Sequence, residues 1–344
     1  MRVLVTGGAG YIGSILVPRL LERGHQVRVV DRMFWGLPHY EGEAGVELVN
    51  ADVRRLPEGV FDGIDAVDHL AGFSNDPTAE FSPEANWQMN AVATDTIAEL
   101  CRAAGVRRLV FGSSCSLYDG ADDSEELLDE SSPLAPRGAY ATSKHYSEQA
   151  LLRHAGPDFE PVILRQATVF GLSPRMRFDL VVNAFVKDAL VRQRLVLHGG
   201  GRMWRPLISV EDLADAHIAC LEAPAELVAG ETFNAVGSNY QVRELAELVA
   251  AALVKLGKPV ALEDGPLPKI VRNYRCSGEK LRGRLNLTLP TTPAMAVARL
   301  VEDFGRDPVE SLGHPKYYNI AWMELLERAR PAFQAMQNIF EPVE

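Results

Sequence analysis

The first half of the chain alternates short apolar segments with amphipathic ones, and this alternation limits the folds that it can adopt. The apolar segments have the length and composition of strands, and helical patterns separate them. The clearest strand segments are RVLVT, QVRVVD, VELVNAD, AVDHLAG, RRLVFGS and PVILRQ, and the clearest helical ones are residues 11–23, 85–104 and 139–155. Strands that alternate with helices form parallel βαβ units. The sequence therefore predicts an α/β fold with a doubly wound parallel sheet.

The regular alternation ends near residue 172, and this change indicates how the chain is divided. Residues 1–172, with returning segments near 205–236, are predicted to form the domain that contains the sheet. Residues 173–204 and 237–344 are predicted to form a smaller lobe and the C-terminal helices. A stretch rich in proline, glycine and basic residues, 257–293, is typical of such a less regular lobe. A chain of 344 residues is long enough to bury a core in each part.

The charge and the apolar pattern exclude several classes of protein. A formal net charge of −11 argues against a nucleic-acid partner and against binding to an anionic membrane surface. No apolar run approaches the roughly 18 residues that a membrane span needs, and MRVLVTGG enters a strand at once, without a signal peptide. The four cysteines, Cys101, Cys115, Cys220 and Cys276, are widely spaced and, like the histidines, form no metal-ligand motif. These features predict a reduced, cytoplasmic protein without a metal site.

A glycine-rich segment, TGGAGYIG, connects the first strand to the first helix. Gly8, Gly10 and Gly13 fit GxGxxG, and Gly7, Gly10 and Gly13 also fit GxxGxxG. Such glycines let the backbone approach a pyrophosphate, which then binds the N–H groups at the start of the helix. A glycine-rich turn alone can be only a turn, but its place between a strand and a helix favours a Rossmann-like, dinucleotide-binding domain.

Asp31 ends the second predicted strand, where a carboxylate accepts hydrogen bonds from the ribose of adenosine. The same carboxylate repels a 2′-phosphate, so NAD is favoured over NADP, and the adjacent Arg32 is the feature that leaves this preference open. Asp52, at the end of VNAD, is the predicted partner of the adenine amino group. The alternative is that Asp31 only starts a loop.

Tyr140 and Lys144 lie four residues apart in GAYATSKHYSEQAL, hence on one face of a predicted helix. A tyrosine with a reference pKa near 10 is a poor base at neutral pH. A nearby ammonium group and an oxidised nicotinamide would each favour the phenolate. Tyr140 could then remove a hydroxyl proton while hydride leaves the same carbon for NAD. The alternative is a solvated pair without a role in catalysis.

Taken together, these motifs resemble the extended short-chain dehydrogenase/reductase family, specifically its nucleotide-sugar epimerases and dehydratases. The resemblance covers roughly residues 1–290. The motifs that carry it, in the order of the family, are TGGAGYIG, Asp31, NAVAT with Asn90, SSCSLY, YATSK, LRQATVFG and RPLISVEDLA. The resemblance implies an NAD cofactor, a nucleotide-diphosphate (NDP) sugar as substrate, and a homodimer paired through the helices of residues 85–104 and 139–155.

The resemblance also assigns roles to individual residues. In this family a serine or threonine four residues before the tyrosine of the S-S-x-x-x-Y segment hydrogen-bonds the reacting sugar oxygen, and counting back from Tyr118 gives Ser114. Ser114, Tyr140 and Lys144 are therefore the predicted catalytic residues. The predicted NAD-binding residues are Gly7, Gly10, Tyr11, Ile12, Gly13, Asp31, Arg32, Asp52, Val53, Leu70, Ala71, Gly72, Asn90, Tyr140 and Lys144.

The two residues after Ser114 separate this chain from parts of the family. Members that epimerise at C3 and C5 carry a catalytic cysteine two residues after the serine, where this chain has Ser116. Cys115 is one residue too early and is expected to be a small buried residue. The 4,6-dehydratases place an Asp-Glu pair here, the sugar-acid decarboxylases usually a glutamate, and this chain has neither. Oxidation and reduction at a single carbinol remain.

The resemblance makes Asn183 and Arg205 contacts to the NDP-sugar diphosphate, with Arg272 as a weaker candidate. Arg205 offers a permanently charged, bidentate donor suited to phosphate, and the alternative is a salt bridge with Glu211 or Asp212.

Polar side chains are predicted at the sugar end as well. Thr168 replaces an asparagine of many relatives, and AGFSNDP brings Ser74 toward the sugar or the nicotinamide ribose. Arg175 and Arg177, in SPRMRF, either reach the substrate or are solvated. The predicted substrate-binding residues are Ser74, Ser116, Thr168, Arg177, Asn183, Arg205 and Arg272.

Three hypotheses about function follow. The leading one is an NAD-dependent nucleotide-sugar epimerase that inverts C4 of an NDP-hexose through a 4-keto intermediate. The second is an NDP-4-keto-sugar reductase, or another net NAD(P)-dependent sugar-nucleotide dehydrogenase, with the same three catalytic residues. The third is a cofactor-sensing binding protein descended from such enzymes, which the intact set of Ser114, Tyr140 and Lys144 disfavours.

Overall fold

The computed structural model describes residues 1–120, 126–267, 272–305 and 308–340. In chain order the strands are β1 (Arg2–Thr6), β2 (Gln26–Asp31), β3 (Val46–Asn50), β4 (Ala66–His69), β5 (Arg108–Ser114), β6 (Leu127–Leu128), β7 (Glu160–Gln166), β8 (Thr168–Phe170), β9 (Arg194–His198), β10 (Trp204–Ser209), β11 (Thr232–Ala235), β12 (Ser238–Gln241), β13 (Ala261–Gly265) and β14 (Arg275–Cys276). The helices are α1 (Gly13–Glu22), α2 (Asp76–Phe81), α3 (Pro83–Asn86), α4 (Ala93–Ala103), α5 (Gly138–His154), α6 (Val181–Arg192), α7 (Val210–Glu222), α8 (Ala225–Val228), α9 (Val242–Val254), α10 (Glu279–Leu285), α11 (Pro293–Phe304) and α12 (Asn319–Phe340).

Seven strands form one parallel sheet in the order β11-β7-β5-β4-β1-β2-β3. After β3 the chain crosses back to the other side of β1, where β4 begins the second half of the sheet. The direction of winding therefore reverses between β1 and β4, and ligands of doubly wound sheets bind outside the carboxyl ends of the strands at such a point. The predicted doubly wound α/β fold is confirmed.

The central strands are buried on both faces, which explains their nearly continuous apolar sequences. Alternate residues of β1 point to opposite faces: Val3 and Val5 belong to one buried cluster and Leu4 to the other. Helix α1 covers the first face through Leu16 and Leu20, while α4 and α5 cover the second. Because the strands are parallel, their carboxyl ends lie at one edge of the sheet.

Helix α1 contains Pro18, a residue that costs about 3 kcal/mol in a helix interior. The buried face of the helix offsets this cost, because Leu16, Val17 and Leu20 are completely buried and each contributes about 1.5–3 kcal/mol. Tertiary packing against α7 therefore holds a helix that its local sequence disfavours.

The less regular part of the chain forms smaller sheets. Strand β10 pairs with β8 and β12, β9 pairs with β13, and β6 pairs with β14. Helices α6, α9 and α11 pack on one another beside these strands. Chain segments that follow β8 thus lie next to the carboxyl edge of the large sheet. None of the described helices is long and apolar enough to cross a bilayer.

Candidate active site

A cavity of about 430 Å³ lies at the carboxyl edge of the sheet. The ends of β1, β2, β4, β5 and β7 contribute to its wall, and so do the segment 175–181, Arg205, Arg272, Tyr274 and Asn319. Residues from both the sheet and the less regular part therefore surround the place where a doubly wound sheet binds its ligand.

The glycine-rich turn forms one end of this cavity. A Cβ atom on Gly7, whose φ is +75°, would lie 2.7 Å from the Ala71 nitrogen, and one on Gly13 would lie 2.4 Å from the Gly8 oxygen. Only glycine fits at these two positions, so the turn can hold its backbone close to a ligand at the start of α1. Tyr11 is anchored by a hydrogen bond from its hydroxyl to the Gly171 carbonyl, at 2.6 Å. The turn therefore agrees with the expected contact between a pyrophosphate and the start of a helix.

Asp31 lies in the cavity wall at the end of β2, as expected for a contact to the adenosine ribose. Its carboxylate accepts hydrogen bonds from the backbone N–H groups of Ala9, at 3.1 Å, and Met33, at 2.8 Å. Burial raises its pKa, and the two backbone hydrogen bonds oppose that rise. The neighbouring Arg32 is also in the wall, above the Phe34 ring.

The structure does not bring every predicted cofactor residue to the cavity. Val53 lines it, but the Asp52 carboxylate is held by Arg54 through two hydrogen bonds of 2.9 and 2.6 Å. Asn90 is buried, with its amide bonded to the backbone N–H and carbonyl of Phe73. It supports the turn at Gly72 and does not line the cavity.

Ser114, Tyr140 and Lys144 meet on one wall of the cavity. Ser114 is the last residue of β5, and Tyr140 and Lys144 lie on adjacent turns of α5. Ser114 forms a hydrogen bond with the Tyr140 side chain. The Lys144 ammonium donates to the Gly112 carbonyl at 2.7 Å and lies 4.6 Å from the centre of the Phe111 ring. Ser114 and Tyr140 are thus close enough to act on one substrate oxygen, and Lys144 lines the same cavity.

Burial controls the charge state of this group. It raises the pKa of Tyr140 to about 12, while the Ser114 hydrogen bond and the Arg177 cation oppose the rise. It lowers the pKa of Lys144 to about 7, opposed by Glu148. The cation that favours the phenolate in this structure is therefore Arg177, whereas the sequence predicted Lys144. An oxidised nicotinamide would bring one further positive charge.

The other polar residues of SSCSLY have structural contacts. Ser113 donates to Glu148 at 2.5 Å, and Tyr118 donates to Asn234 at 3.0 Å. The Cys115 thiol is buried and donates to the Arg165 carbonyl at 3.1 Å, and burial raises its pKa well above the usual value. This agrees with the prediction that Cys115 is a buried structural residue.

Ser116 is the second hydroxyl of this stretch at the cavity. It lines the wall, and its backbone N–H donates to the Ser114 hydroxyl at 3.1 Å. Among the described residues its own hydroxyl has no hydrogen-bond partner. Ser116 is therefore available to a ligand, in keeping with its predicted role.

The predicted diphosphate residues behave differently from one another. Arg205 and Arg272 line the cavity, and Arg205 donates to the carbonyl oxygens of Trp204 and Arg272. The proposed alternative, a salt bridge from Arg205 to Glu211 or Asp212, is wrong, because Glu211 pairs with Arg299 and Asp212 accepts from Thr291.

Arg272 is held by two carboxylates, those of Asp76 and Asp119. Burial raises the pKa of Asp119 to about 6, and the Arg205 and Arg137 cations oppose that rise. The positive charges of the arginines and the negative charges of the carboxylates therefore offset one another at this end of the cavity.

The position of Asn183 contradicts its predicted contact with the substrate diphosphate. Its side chain is completely buried, and its amide donates to the Tyr11 hydroxyl and the Arg177 carbonyl and accepts from the Gly171 N–H. It is not in the cavity wall. Because these three contacts use its amide, Asn183 fixes the segment around Arg177 and does not contact a ligand in this structure.

Ser74, Thr168 and Arg177 are in the cavity wall. Arg177 forms a bidentate pair with Asp179, at 2.8 and 2.9 Å, and donates to the Ser74 hydroxyl at 3.0 Å. Arg177 is therefore neither solvated nor free, and its charge acts on Tyr140 from a fixed position.

Sequence reasoning missed several residues of the wall, among them Trp35, Gln166, Tyr274 and Asn319. Gln166 ends β7, and the rule that ligands bind at carboxyl ends could have identified it. Its amide lies 2.9 Å from His217, which in turn pairs with the buried Asp68. The other three residues come from irregular segments or from the start of α12 and carry no local signal.

Comparisons with known proteins agree with this geometry. The family model for the NAD dependent epimerase/dehydratase family matches residues 3–235. A UDP-glucose 4-epimerase of Corynebacterium glutamicum is 29% identical over 282 residues, covering 77% of this chain and 84% of that protein. UDP-glucuronic acid decarboxylase 1 of Xenopus tropicalis is 31% identical over 232 residues, 64% of this chain. The match spans only 54% of that decarboxylase.

Solved structures of such enzymes also superpose on this chain. The UDP-glucose 4-epimerase of Thermus thermophilus, in complex with NAD, superposes with a TM-score of 0.77 at 27% identity, covering 90% of this chain and all of the other. A dTDP-glucose 4,6-dehydratase of Streptomyces venezuelae with NAD bound gives 0.78 at 26% identity, covering 91% of this chain and all of the other. A nucleotide-binding turn, a Ser-Tyr-Lys group at the same cavity and the match over residues 3–235 all lead to one assignment: the chain belongs to the NAD-dependent epimerase/dehydratase family.

Proposed function

We propose that the protein is an NDP-hexose 4-epimerase that works through a 4-keto intermediate. The observation that carries this proposal is the composition of the catalytic wall. Ser114, Tyr140 and Lys144 meet there, while the two residues after Ser114 are a cysteine turned toward the Arg165 carbonyl and a serine. The wall has what a reversible oxidation of one carbinol needs. It lacks, at positions 115 and 116, the acid–base pair that the resemblance assigns to the dehydratases.

Each residue has a defined part in such a reaction. Ser114 hydrogen-bonds the C4 oxygen, and Tyr140 takes the proton as the O–H bond breaks. Bound NAD supplies the hydride acceptor for the C–H bond at C4. If the 4-keto sugar turned over in the cavity, addition of hydride to the other face of C4 and of the Tyr140 proton to the C4 oxygen would complete the inversion without net oxidation. Arg177 stabilises negative charge on the Tyr140 oxygen, because a nearby cation favours the phenolate.

Arg205 and Arg272 are the proposed contacts to the substrate diphosphate. Both line the same cavity as the catalytic wall, and arginine is suited to bidentate phosphate recognition. A diphosphate would replace the carboxylates of Asp76 and Asp119 as the partner of Arg272. Since a UDP-glucose 4-epimerase is among the relatives, UDP-hexoses are the first substrates to examine.

The test follows a substrate labelled with deuterium at C4. We expect NMR to show conversion of an NDP-hexose to its C4 epimer with the label kept at C4 and no net change in reduced cofactor. Stoichiometric consumption of NAD(P)H with a 4-keto sugar would instead identify a reductase. Carbon dioxide release from UDP-glucuronate, or loss of water from the sugar, would also contradict the proposal.

We further propose that the protein works in the cytoplasm. All four cysteines are free and buried, which is usual in a reducing compartment. Recovery of the protein mainly in a membrane or secreted fraction of its cells would contradict this location.

A further inference from the structure

One part of the cavity wall, beside Asp31, carries N–H groups without acceptors. Trp35 and Arg175 both line the cavity. The indole nitrogen of Trp35 and the Nε and Nη1 atoms of Arg175 are buried, and no hydrogen-bond acceptor for them lies among the described residues. Tryptophan and arginine side chains are donors only, and unpaired buried donors are costly. A group rich in oxygen atoms is therefore expected against this wall.

The guanidinium of Arg175 is held in one orientation by two contacts. Its carbon atom lies 3.9 Å from the centre of the Trp35 ring, and its Nη2 donates to the Asn319 side chain at 2.6 Å. Asn319 is itself fixed by a hydrogen bond to Ser74, at 3.2 Å. Three distant parts of the chain, after β2, after β8 and at the start of α12, thus position one cation.

The surroundings of Arg175 include residues of the cofactor-binding half of the cavity. Asp31 and Tyr11 act on it electrostatically, and these residues lie in the cofactor-binding half. Arg177, two residues further on, acts on Tyr11 as well and also on Tyr140 in the catalytic half. Of the two arginines of SPRMRF, Arg175 is the one that packs on Trp35, in the segment that follows Asp31.

The charge state of Arg175 also favours an anionic ligand. Burial lowers its pKa to about 9, and repulsion by Arg177 adds to the decrease. A bound anion would remove this strain on the charged form, because an opposite charge nearby favours it.

We propose that Arg175, oriented by Trp35 and Asn319, binds the pyrophosphate of NAD as a second anchor besides the glycine-rich turn. The fork of N–H donors on a guanidinium matches phosphate oxygens, and charge-assisted hydrogen bonds of this kind are the stronger ones. The free Trp35 N–H donates to the same oxygen-rich part of the cofactor. This role concerns NAD alone and does not depend on which sugar carbon reacts.

The test measures binding to protein that has been freed of nucleotide, with NAD, ADP and adenosine as probes in calorimetry. For Arg175→Gln we expect the affinity for NAD and ADP to fall by about 10- to 100-fold, and that for adenosine, which has no phosphate, to change less than twofold. Arg175→Lys keeps the charge but not the fork, so its loss should be smaller and limited to the same two probes.

Arg192→Gln is the control, because it removes the same charge from an exposed arginine of α6 that pairs with Asp188, and it should leave all three affinities unchanged. Unchanged affinity of Arg175→Gln for NAD and ADP would overturn the proposal, and so would equal losses for all three probes, which would indicate a structural role. If Arg175→Gln does not fold, the same comparison in Arg175→Lys decides.

Discussion

Tyr140 and Lys144 show how burial sets the chemistry of single residues. Each has its pKa moved toward the neutral form, to about 12 for the phenol and about 7 for the ammonium. The proximity of the two residues is therefore not enough to give Tyr140 the phenolate form that a base needs. The fixed cation near Tyr140 is Arg177, which is locked to Asp179. We infer that the cofactor completes the set of charges that makes the phenol basic.

The first residue-scale prediction concerns the base. Tyr140→Phe removes the proton acceptor but keeps the ring, so we expect kcat to fall by about 10²- to 10⁴-fold, with the melting temperature and bound NAD retained. Tyr146→Phe is the matched control, because Tyr146 lies on the same helix and packs on Trp87. Activity of Tyr140→Phe equal to that of the control would show that another group takes the proton.

The second residue-scale prediction concerns Lys144 and the pH dependence of stability in NAD-free protein. Its pKa is about 7 when folded and 10.5 in its ordinary state, so between these values the unfolded chain binds more protons and stability must rise with pH. The slope is at most about 1.4 kcal/mol per pH unit. Urea unfolding from pH 6 to 9 should show this extra rise above pH 7 in the wild type and not in Lys144→Met. Parallel curves for the two proteins would contradict the assigned pKa.

At the scale of elements, a buried ion pair joins α5 to the two strands that carry the catalytic wall. Glu148 of α5 forms bidentate contacts with Arg165 of β7 and accepts from Ser113 of β5. Both charged side chains are buried. The pair therefore sets how Tyr140, on the same helix, lies relative to Ser114 at the end of β5.

Loss of this pair should be costly. Glu148→Ala leaves the Arg165 charge buried without its partner, and we expect a loss of about 3–5 kcal/mol in the free energy of unfolding. The control is Glu324→Ala in α12, which breaks an exposed pair with Arg328 at 3.5 Å and should cost less than about 1 kcal/mol. Similar losses in the two variants, measured by urea unfolding, would show that the buried pair does not stabilise the fold.

The features that the sequence could predict are those formed by residues close together in the chain. The turn from β1 to α1, the end of β5 and the Tyr140–Lys144 face of α5 each depend on neighbouring residues, so their patterns are visible in the sequence. The family resemblance predicted a contact between Asn183 and the substrate diphosphate, which was wrong. The sequence could not show that Tyr11, Gly171 and Arg177 already use the amide of that residue.

The cavity wall around Arg175 could not be predicted, because its residues are far apart in the sequence. Trp35, Arg175 and Asn319 meet only through tertiary packing, across 284 positions of sequence between the first and the last. Neither periodicity nor a motif links them. The same is true of Arg177, whose effect on Tyr140 depends on the distance between α5 and the segment that follows β8.

At the scale of the whole molecule, the helices predicted to pair two copies have exposed apolar residues. Leu100 on α4 and Leu152 on α5 are 36% and 43% exposed, and the two helices pack side by side. We expect a homodimer by light scattering, and a monomer for the double variant Leu100→Asp, Leu152→Asp, because two buried charges would oppose association. Leu256→Asp, at a residue 55% exposed after α9, should stay dimeric. A monomeric wild type would refute this interface.

Helix α12 connects the end of the described chain to the cofactor half of the cavity. The Trp322 indole donates to the Phe34 carbonyl at 2.7 Å, and Asn319 bonds Arg175. Refolding in the presence of NAD should therefore give a higher cofactor occupancy than NAD added afterwards, as measured by absorbance of the released nucleotide. Equal occupancy by the two routes would show that α12 does not hinder entry.

The same contacts have a consequence for biosynthesis. Residues 319–322 leave the ribosome after the entire nucleotide-binding sheet, so the nascent chain offers an open groove for as long as translation of the later segments lasts. The supply of NAD during that interval, more than exchange in the finished protein, would then determine what fraction of the molecules contains the cofactor.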